Sequence, residues 1–192
     1  MLLAAGRAAR FGSDKLLAPL PIAHGEVHAG TPLAAAACAH LVDALPHTIA
    51  VVRTDADELA TQLAWTGARI VRCATSDAGM SATLACGIAA SAQANGWVIA
   101  LADMPWVRVA TIRAVVDALE GGASIAAPYH AGVRGHPVGF GESLRDALLA
   151  LRGDQGAREI VQSRARDVVR IDVDDPGILR DVDLPADLQA DR

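Results

Sequence analysis

The stretch Trp97-Val-Ile-Ala-Leu-Ala-Asp-Met-Pro105 decides how the rest of the chain is read. Residues 97–102 carry almost no polar side chain, so they read as a strand covered on both faces and central in its sheet. An aspartate follows at once. The chemistry of open parallel sheets lies in the loops that leave the carboxyl ends of their strands. Asp103 stands at such an end, well placed to hold Mg²⁺, which takes one or two carboxylates plus substrate phosphates. Capping of the next helix is the plainer alternative; the isolation of this carboxylate after an apolar strand favours the metal.

Outward from it, apolar runs of strand length alternate with amphipathic segments of helix length. Strands are expected at 2–5, 47–53, 68–73, 124–128, 138–140 and 167–173. Helices are expected from Thr31-Pro32, read as N-cap and first helical position, to about 45. Others run from a Thr54 or Asp55 cap with Glu58 in a capping box to 65, and over 81–93, 107–119, 141–151 and 155–164. This βαβα alternation predicts one α/β domain over 1–192. Its three α/β/α layers enclose a mostly parallel, Rossmann-like sheet. The segment 186–192 is expected to fray.

With 192 residues, 52% apolar and 20% charged, the composition is that of a globular chain. The net charge is −5 and no basic stripe is interleaved with aromatics, so nucleic acid is not expected as a partner. The longest apolar run, 33–39, is too short to cross a bilayer. The opening MLLAAG lacks the basic and long apolar regions of a signal peptide, so a cytoplasmic location is expected, with no membrane partner. Cys38, Cys73 and Cys86 are odd in number and have no CxxC spacing, and they read as buried reduced thiols.

The loop after the first strand, AGRAARFGSDK, carries glycines at 6 and 12 and cations at Arg7, Arg10 and Lys15. Lys15 is the only lysine in the chain; the other basic side chains are arginines. Exposed amides in such a loop cradle phosphate oxygens, which makes a triphosphate the natural ligand. The loop fits neither a Walker A motif nor GxGxxG.

LAAGRAARFGSDK resembles the LAAGxSxRxGxxK signature of the MobA-like NTP transferases, most closely the branch that transfers CMP to molybdopterin. The resemblance implies a nucleotide-diphospho-sugar transferase type of fold. It implies nucleotide binding by Ala4, Ala5, Gly6, Arg7, Gly12 and Lys15, catalysis by Arg10, Lys15 and Asp103, and Mg²⁺ on Asp103 in the LADxP motif. Ala8 stands where the family has Ser, so one hydroxyl contact to phosphate is missing. The family also has a few residues before LAAG, so a short first strand is expected here.

SDAGMSATLACGI (76–88) is similar to the loop that closes over the base, through Gly79 and Ser81, and reads equally as a helix start capped by Ser81 or Thr83. RGHPVGFG and GDQGARE resemble the acceptor-facing motifs of the molybdopterin branch, implying Arg134, His136, Asp154 and Arg158 as acceptor contacts. DVDLPADL (181–188) is similar to the ending of that branch. The implied reaction is CMP transfer from CTP to the terminal phosphate of molybdopterin, with a molybdoenzyme or its chaperone as a further partner. GTP or another acceptor, or a non-catalytic molybdenum cofactor-binding maturation protein, are the competing readings.

Overall fold

The computed structural model describes residues 1–6, 14–21 and 27–189. Among the described residues eight strands form one sheet: β1 (Leu2–Ala4), β2 (Ile49–Arg53), β3 (Arg69–Cys73), β4 (Gly96–Leu101), β5 (Ile125–His130), β6 (Val133–Arg134), β7 (Val138–Gly141) and β8 (Val168–Asp172). Among the described residues the α-helices are α1 (Leu33–Ala44), α2 (Asp57–Trp65), α3 (Met80–Ala90), α4 (Val109–Glu120), α5 (Arg145–Ala150) and α6 (Arg158–Ser163).

The half β3-β2-β1-β4 is parallel throughout. β7 then pairs antiparallel with both β4 and β5, and β8 runs parallel to β5. Tyr129 pairs with Arg134 of β6 and with Asp172 of β8, so those strands flank opposite edges of β5. β6 therefore lies on the β7 side, and the two are one antiparallel strand interrupted at 135–137. The short β6 escaped the sequence reading. It is set by the tight turn Ala131-Gly132, both at positive φ (48° and 82°), the geometry of a two-residue hairpin loop.

The pleat sorts the strands' side chains into two cores. Ala50 and Val52 face one side of β2, while Ile49 and Val51 face the other; Val98 of β4 and Ala126 of β5 repeat the first set, Ile99 and Ile125 the second. The first core is closed by α1, α2 and α4 through Leu33, Leu41, Leu63 and Ile112. The second is closed by α3 and α5 through Leu84, Ile88 and Leu148. Two cores on two faces make the three-layer architecture. β1 is only three residues long but pairs on both edges, and β4 is central as expected.

Several boundaries differ from expectation. Pro32 occupies the N-cap of α1, so Thr31 does not cap it. Ala56 precedes α2 with no side-chain cap, so the expected capping box does not form. The segment 141–151 opens with a 3-10 turn (Glu142–Leu144) before α5, and α6 starts only at Arg158 because Gly153 and Gly156, both at positive φ, hold 153–156 as a turn. The expected tail is described to Gln189, as the 3-10 turn Pro185–Gln189.

The reading of three reduced thiols is corrected. Cys73 at the end of β3 and Cys86 in α3 form a disulfide, with Cα atoms 5.9 Å apart, leaving Cys38 as the free, buried thiol. Sequence spacing gave no hint, because the partners meet only when α3 packs back on the sheet.

Candidate active site

The carboxyl ends of β1 and β4 bring Gly6 and Asp103 to one rim. Arg7, Arg10 and Gly12, with Ala8, lie outside the described residues. The two sides of their loop are held from β2: Arg53 donates Nη1 to the Gly6 carbonyl at 3.2 Å and sits 3.8 Å from Asp14. Asp14 in turn accepts from the Leu16 amide, opening the 3-10 turn Lys15–Leu17, and the buried Leu16 anchors that turn.

Lys15 thereby points across the rim. Its ammonium donates to Asp103 Oδ2 at 2.9 Å, to Asp183 Oδ1 at 3.0 Å and to the Val182 carbonyl at 2.8 Å. Burial alone would lower the pKa of this amine, but the hydrogen bonds and charges of Asp103 and Asp183 outweigh it and raise the pKa, so the cation is held.

Lys15 and Asp103 line a cavity of about 710 Å³ with Leu3, Ala5, Gly6 and Gly79. A second cavity, about 760 Å³, adjoins it and is lined by Arg134, His136, Arg158 and the apolar Val138 and Phe140. Leu3, Met80, Leu101 and Asp154 line both. Of the acceptor-facing residues expected, Arg134, His136, Asp154 and Arg158 thus share one space. Among the described residues neither Arg134 nor Arg158 has a carboxylate within ion-pair distance. Both line a chamber of mixed character, with Leu84, Val138 and Phe140 beside His136, Asp154 and Gln155; two guanidiniums over such walls suit an anion on an organic body.

Two residues lie elsewhere than expected. Ala4 is 1% exposed and packs in the core; the pleat instead turns Leu3 and Ala5 to the cavity. Ser81 is fully buried, because α3 begins a residue earlier, at Met80. The Ser81 amide donates to the Gly153 carbonyl at 3.1 Å, and its hydroxyl has no partner among the described residues. Ser76, Asp77 and Thr83 present the polar atoms at this wall.

Gly79 is where two distant motifs interlock. It has φ +105° and ψ −178°, a region open essentially to glycine alone. A Cβ there would collide with Asp154 Oδ1 and lie 2.8 Å from the Gly153 carbonyl. Gly156, opposite, leaves a Cβ only 2.7 Å from Met80 Sδ. The 76–80 and 153–156 loops are thereby packed backbone to backbone where the cavities meet.

His136 is half-buried; its amide donates to the Ile178 carbonyl. Burial, then the charge of Arg134, push its pKa down to about 4, with Asp103 pulling weakly the other way, so the imidazole is neutral at pH 7. Its Nδ1 is buried without a partner among the described residues.

No cluster of three His, Cys, Asp or Glu able to hold a metal exists among the described residues. The donor set still suits Mg²⁺ or Mn²⁺: Asp103 ends β4 at a cavity that Asp77 and Asp154 also line, beside space for phosphate oxygens. Sequence reasoning missed Arg53, which carried no motif, and Val182-Asp183, which lay in a terminal motif that was given no chemical role.

Known proteins resemble this chain in sequence and fold. Purine catabolism protein PucB of Bacillus subtilis (strain 168) is 29% identical, covering 96% of this chain and 91% of its own. The crystal structure of the Rv0371c homolog from mycobacterium sp. strain JC1 is 28% identical with a TM-score of 0.77, covering 98% and 91%. Rv0371c of Mycobacterium tuberculosis H37Rv, in a complex with manganese, is 26% identical with a TM-score of 0.73, covering 98% and 94%. Residues 1–168 match the MobA-like NTP transferase domain, and the chain is a nucleotidyltransferase belonging to that family.

Proposed function

We propose that the protein transfers CMP from CTP to the terminal phosphate of molybdopterin, releasing pyrophosphate. The observation that carries this reading is the pair of adjoining cavities. One is rimmed by Gly6, Lys15 and Asp103, and the other holds Arg134, His136 and Arg158 over apolar walls. A donor and an acceptor seated in them would meet at Met80 and Asp154.

The loop from Gly6 to Lys15, with Arg7, Arg10 and Gly12, surrounds the triphosphate in this reading, and Gly79 lets backbone approach the base. Arg134 and Arg158 bind the acceptor's phosphate and aim it; the neutral His136 supplies a hydrogen bond without adding charge. The acceptor oxygen forms a bond to the α-phosphorus as the bond to the β-phosphate oxygen breaks, and the electron pair leaves with pyrophosphate. A phosphate monoester is ionised near neutral pH, so no general base is required. Lys15 and Arg10 stabilise charge growing on the leaving group. Asp103 would hold a divalent cation, Mg²⁺ by its preference for carboxylate and phosphate oxygens, and that cation would supply further charge neutralisation. Positioning two bound phosphates does the rest. Support for CTP over GTP is the LAAG form of the first loop.

The test is pyrophosphate release from each of the four NTPs, with and without molybdopterin, in Mg²⁺ or Mn²⁺. Release confined to CTP plus molybdopterin is expected, and Asp103→Ala abolishes it. Release with GTP alone, or full turnover by Asp103→Ala, overturns the reading.

A further inference from the structure

The sulfur of the protein is carried by Met1, Met80, Met104, Cys38, Cys73 and Cys86. An oxidant in solution reaches sulfur that meets solvent and still has a lone pair free to react. Most of these atoms are closed to it. Met1 and Met104 are 6% and 5% exposed, Cys38 is fully buried, and Cys73 and Cys86 are already joined to each other. Met80 is the exception, at 42% exposed. It stands where the two cavities meet and lines both of them.

The backbone on either side of Met80 is fixed against the 153–156 loop. Gly79 sits in close contact with Gly153 and Asp154, and the Ser81 amide donates to the Gly153 carbonyl at 3.1 Å. The Met80 side chain lies on Gly156, where an added Cβ would come within 2.7 Å of Sδ. That side of the sulfur therefore has no room for a further atom. An oxygen on the sulfur would turn a pliant apolar side chain into a polar one that accepts hydrogen bonds. The side chains that share the junction with it, Leu3, Leu101 and Asp154, offer no donor. The oxidised side chain must leave Gly156 for solvent, and the contact it makes between the two loops is lost.

We propose that Met80 is a modification site at which a peroxide lowers the activity of the protein by loosening the junction between its two cavities. The thioether sulfur attacks one peroxide oxygen. The S–O bond forms as the O–O bond breaks, and sulfur gives up two electrons. The leaving hydroxide takes the proton from the new S–OH group and departs as water. A methionine sulfoxide reductase fed by a dithiol reverses the step. The effect on nucleotidyl transfer rests on the functional reading above, whereas the site itself is identified without turnover.

The test treats the full-length protein with hydrogen peroxide and follows each methionine by peptide mass spectrometry. Met80 is expected to gain its oxygen at least about ten times faster than Met1 or Met104, in line with their exposure. In pyrophosphate release with CTP, Mg²⁺ and molybdopterin, the rate is expected to fall roughly ten-fold in step with Met80 oxidation, since misplacing bound groups by ~1 Å costs up to about a hundred-fold. Methionine sulfoxide reductase with dithiothreitol is expected to restore the rate, and dithiothreitol alone is not. Met80→Leu, whatever its own rate, is expected to keep that rate through the same peroxide treatment. Faster oxidation of Met1, Met104 or Cys38 overturns the proposal. So does an undiminished rate in protein fully oxidised at Met80, or an equal fractional loss in Met80→Leu. A wild type that releases no pyrophosphate strikes the functional reading alone. Mass spectrometry then still decides the site, and hydrogen exchange of the Ser81 amide decides the loosening: it is expected to quicken on oxidation, and an unchanged rate overturns the proposal.

Discussion

Replacing Gly79 by alanine tests the interlock at the heart of the site. The backbone there (φ +105°, ψ −178°) costs a side chain about 1–3 kcal/mol. The new methyl would also run into Asp154 Oδ1 and approach the Gly153 carbonyl to 2.8 Å. Asp154 can swing, but the carbonyl is backbone and must be pushed, and overpacking of this kind costs about 1–3 kcal/mol. A total near 3 kcal/mol lowers the melting temperature by about 6–12 °C in a chain of this size. The push also separates the 76–80 and 153–156 loops, so the nucleotide KM in pyrophosphate release rises together with the acceptor KM. Gly132→Ala is the control. Gly132 has φ +82° but nothing within 4 Å, so it carries only a left-handed penalty of about 1–2 kcal/mol and leaves both KM values alone. A Gly79→Ala protein that melts within a degree of wild type with unchanged KM values would refute the packing argument.

Lys15→Arg is expected to cut kcat at least ten-fold, because a planar guanidinium cannot satisfy three acceptors arranged around one nitrogen at 2.8–3.0 Å; unchanged kinetics would mean that charge alone suffices. His136 binds its proton less readily in the folded chain, near pH 4 rather than 6.5, so the unfolded state holds more protons between those values. Stability is full above pH 6.5 and falls as pH drops toward 4, by up to about 3 kcal/mol from this group. Urea unfolding across that range should lose this part of its slope in His136→Gln, and an identical slope contradicts the assignment. Reducing the Cys73–Cys86 bond, which closes a loop of sequence separation 13, should cost about 3 kcal/mol by loop entropy. A dithiothreitol-insensitive melt, with the thiols counted as free, would speak against it.

What the sequence made legible follows from where the determinants lie. The strand 97–102 announced its own central place because burial on both faces leaves a continuous apolar run. Asp103 was legible for the same reason, as the polar residue that ends it. Gly79 and Gly153 were visible as loop residues and Gly156 was read into a helix from 155, but the contact between their loops was not visible, since it depends on two backbones meeting across the sheet end. Ala4 and Ser81 were misplaced by a single residue each. In a strand one residue reverses the face, and in α3 an earlier start turned Ser81 inward. Arg53 and Asp183 escaped because their roles are relational: each is an unremarkable charge in sequence and gains meaning only from the Gly6 carbonyl or the Lys15 ammonium opposite it.

The electrostatic design follows from the same relations. The chain carries a net charge of −5, so its overall field does not draw polyphosphates to it. Attraction has to be local, and the cations that line the cavities come from separate elements: Lys15 from the turn after the first loop, Arg134 from β6, Arg158 from the start of α6. The two arginines stand without carboxylate partners among the described residues, ready for an anion. Lys15 is instead balanced by Asp103 and Asp183. An unpaired ammonium on the nucleotide side would bind any phosphate, whereas a paired one exchanges a partner only for a ligand that also compensates the carboxylate it leaves. A triphosphate accompanied by a divalent cation meets that condition, and inorganic phosphate alone does not. Binding of inorganic phosphate, read by calorimetry, should therefore be weak at the Lys15 cavity in the wild type and should strengthen in Asp103→Asn, where the carboxylate charge is gone. Equal affinity of both proteins for inorganic phosphate would show that the pairing of Lys15 plays no part in selecting its ligand.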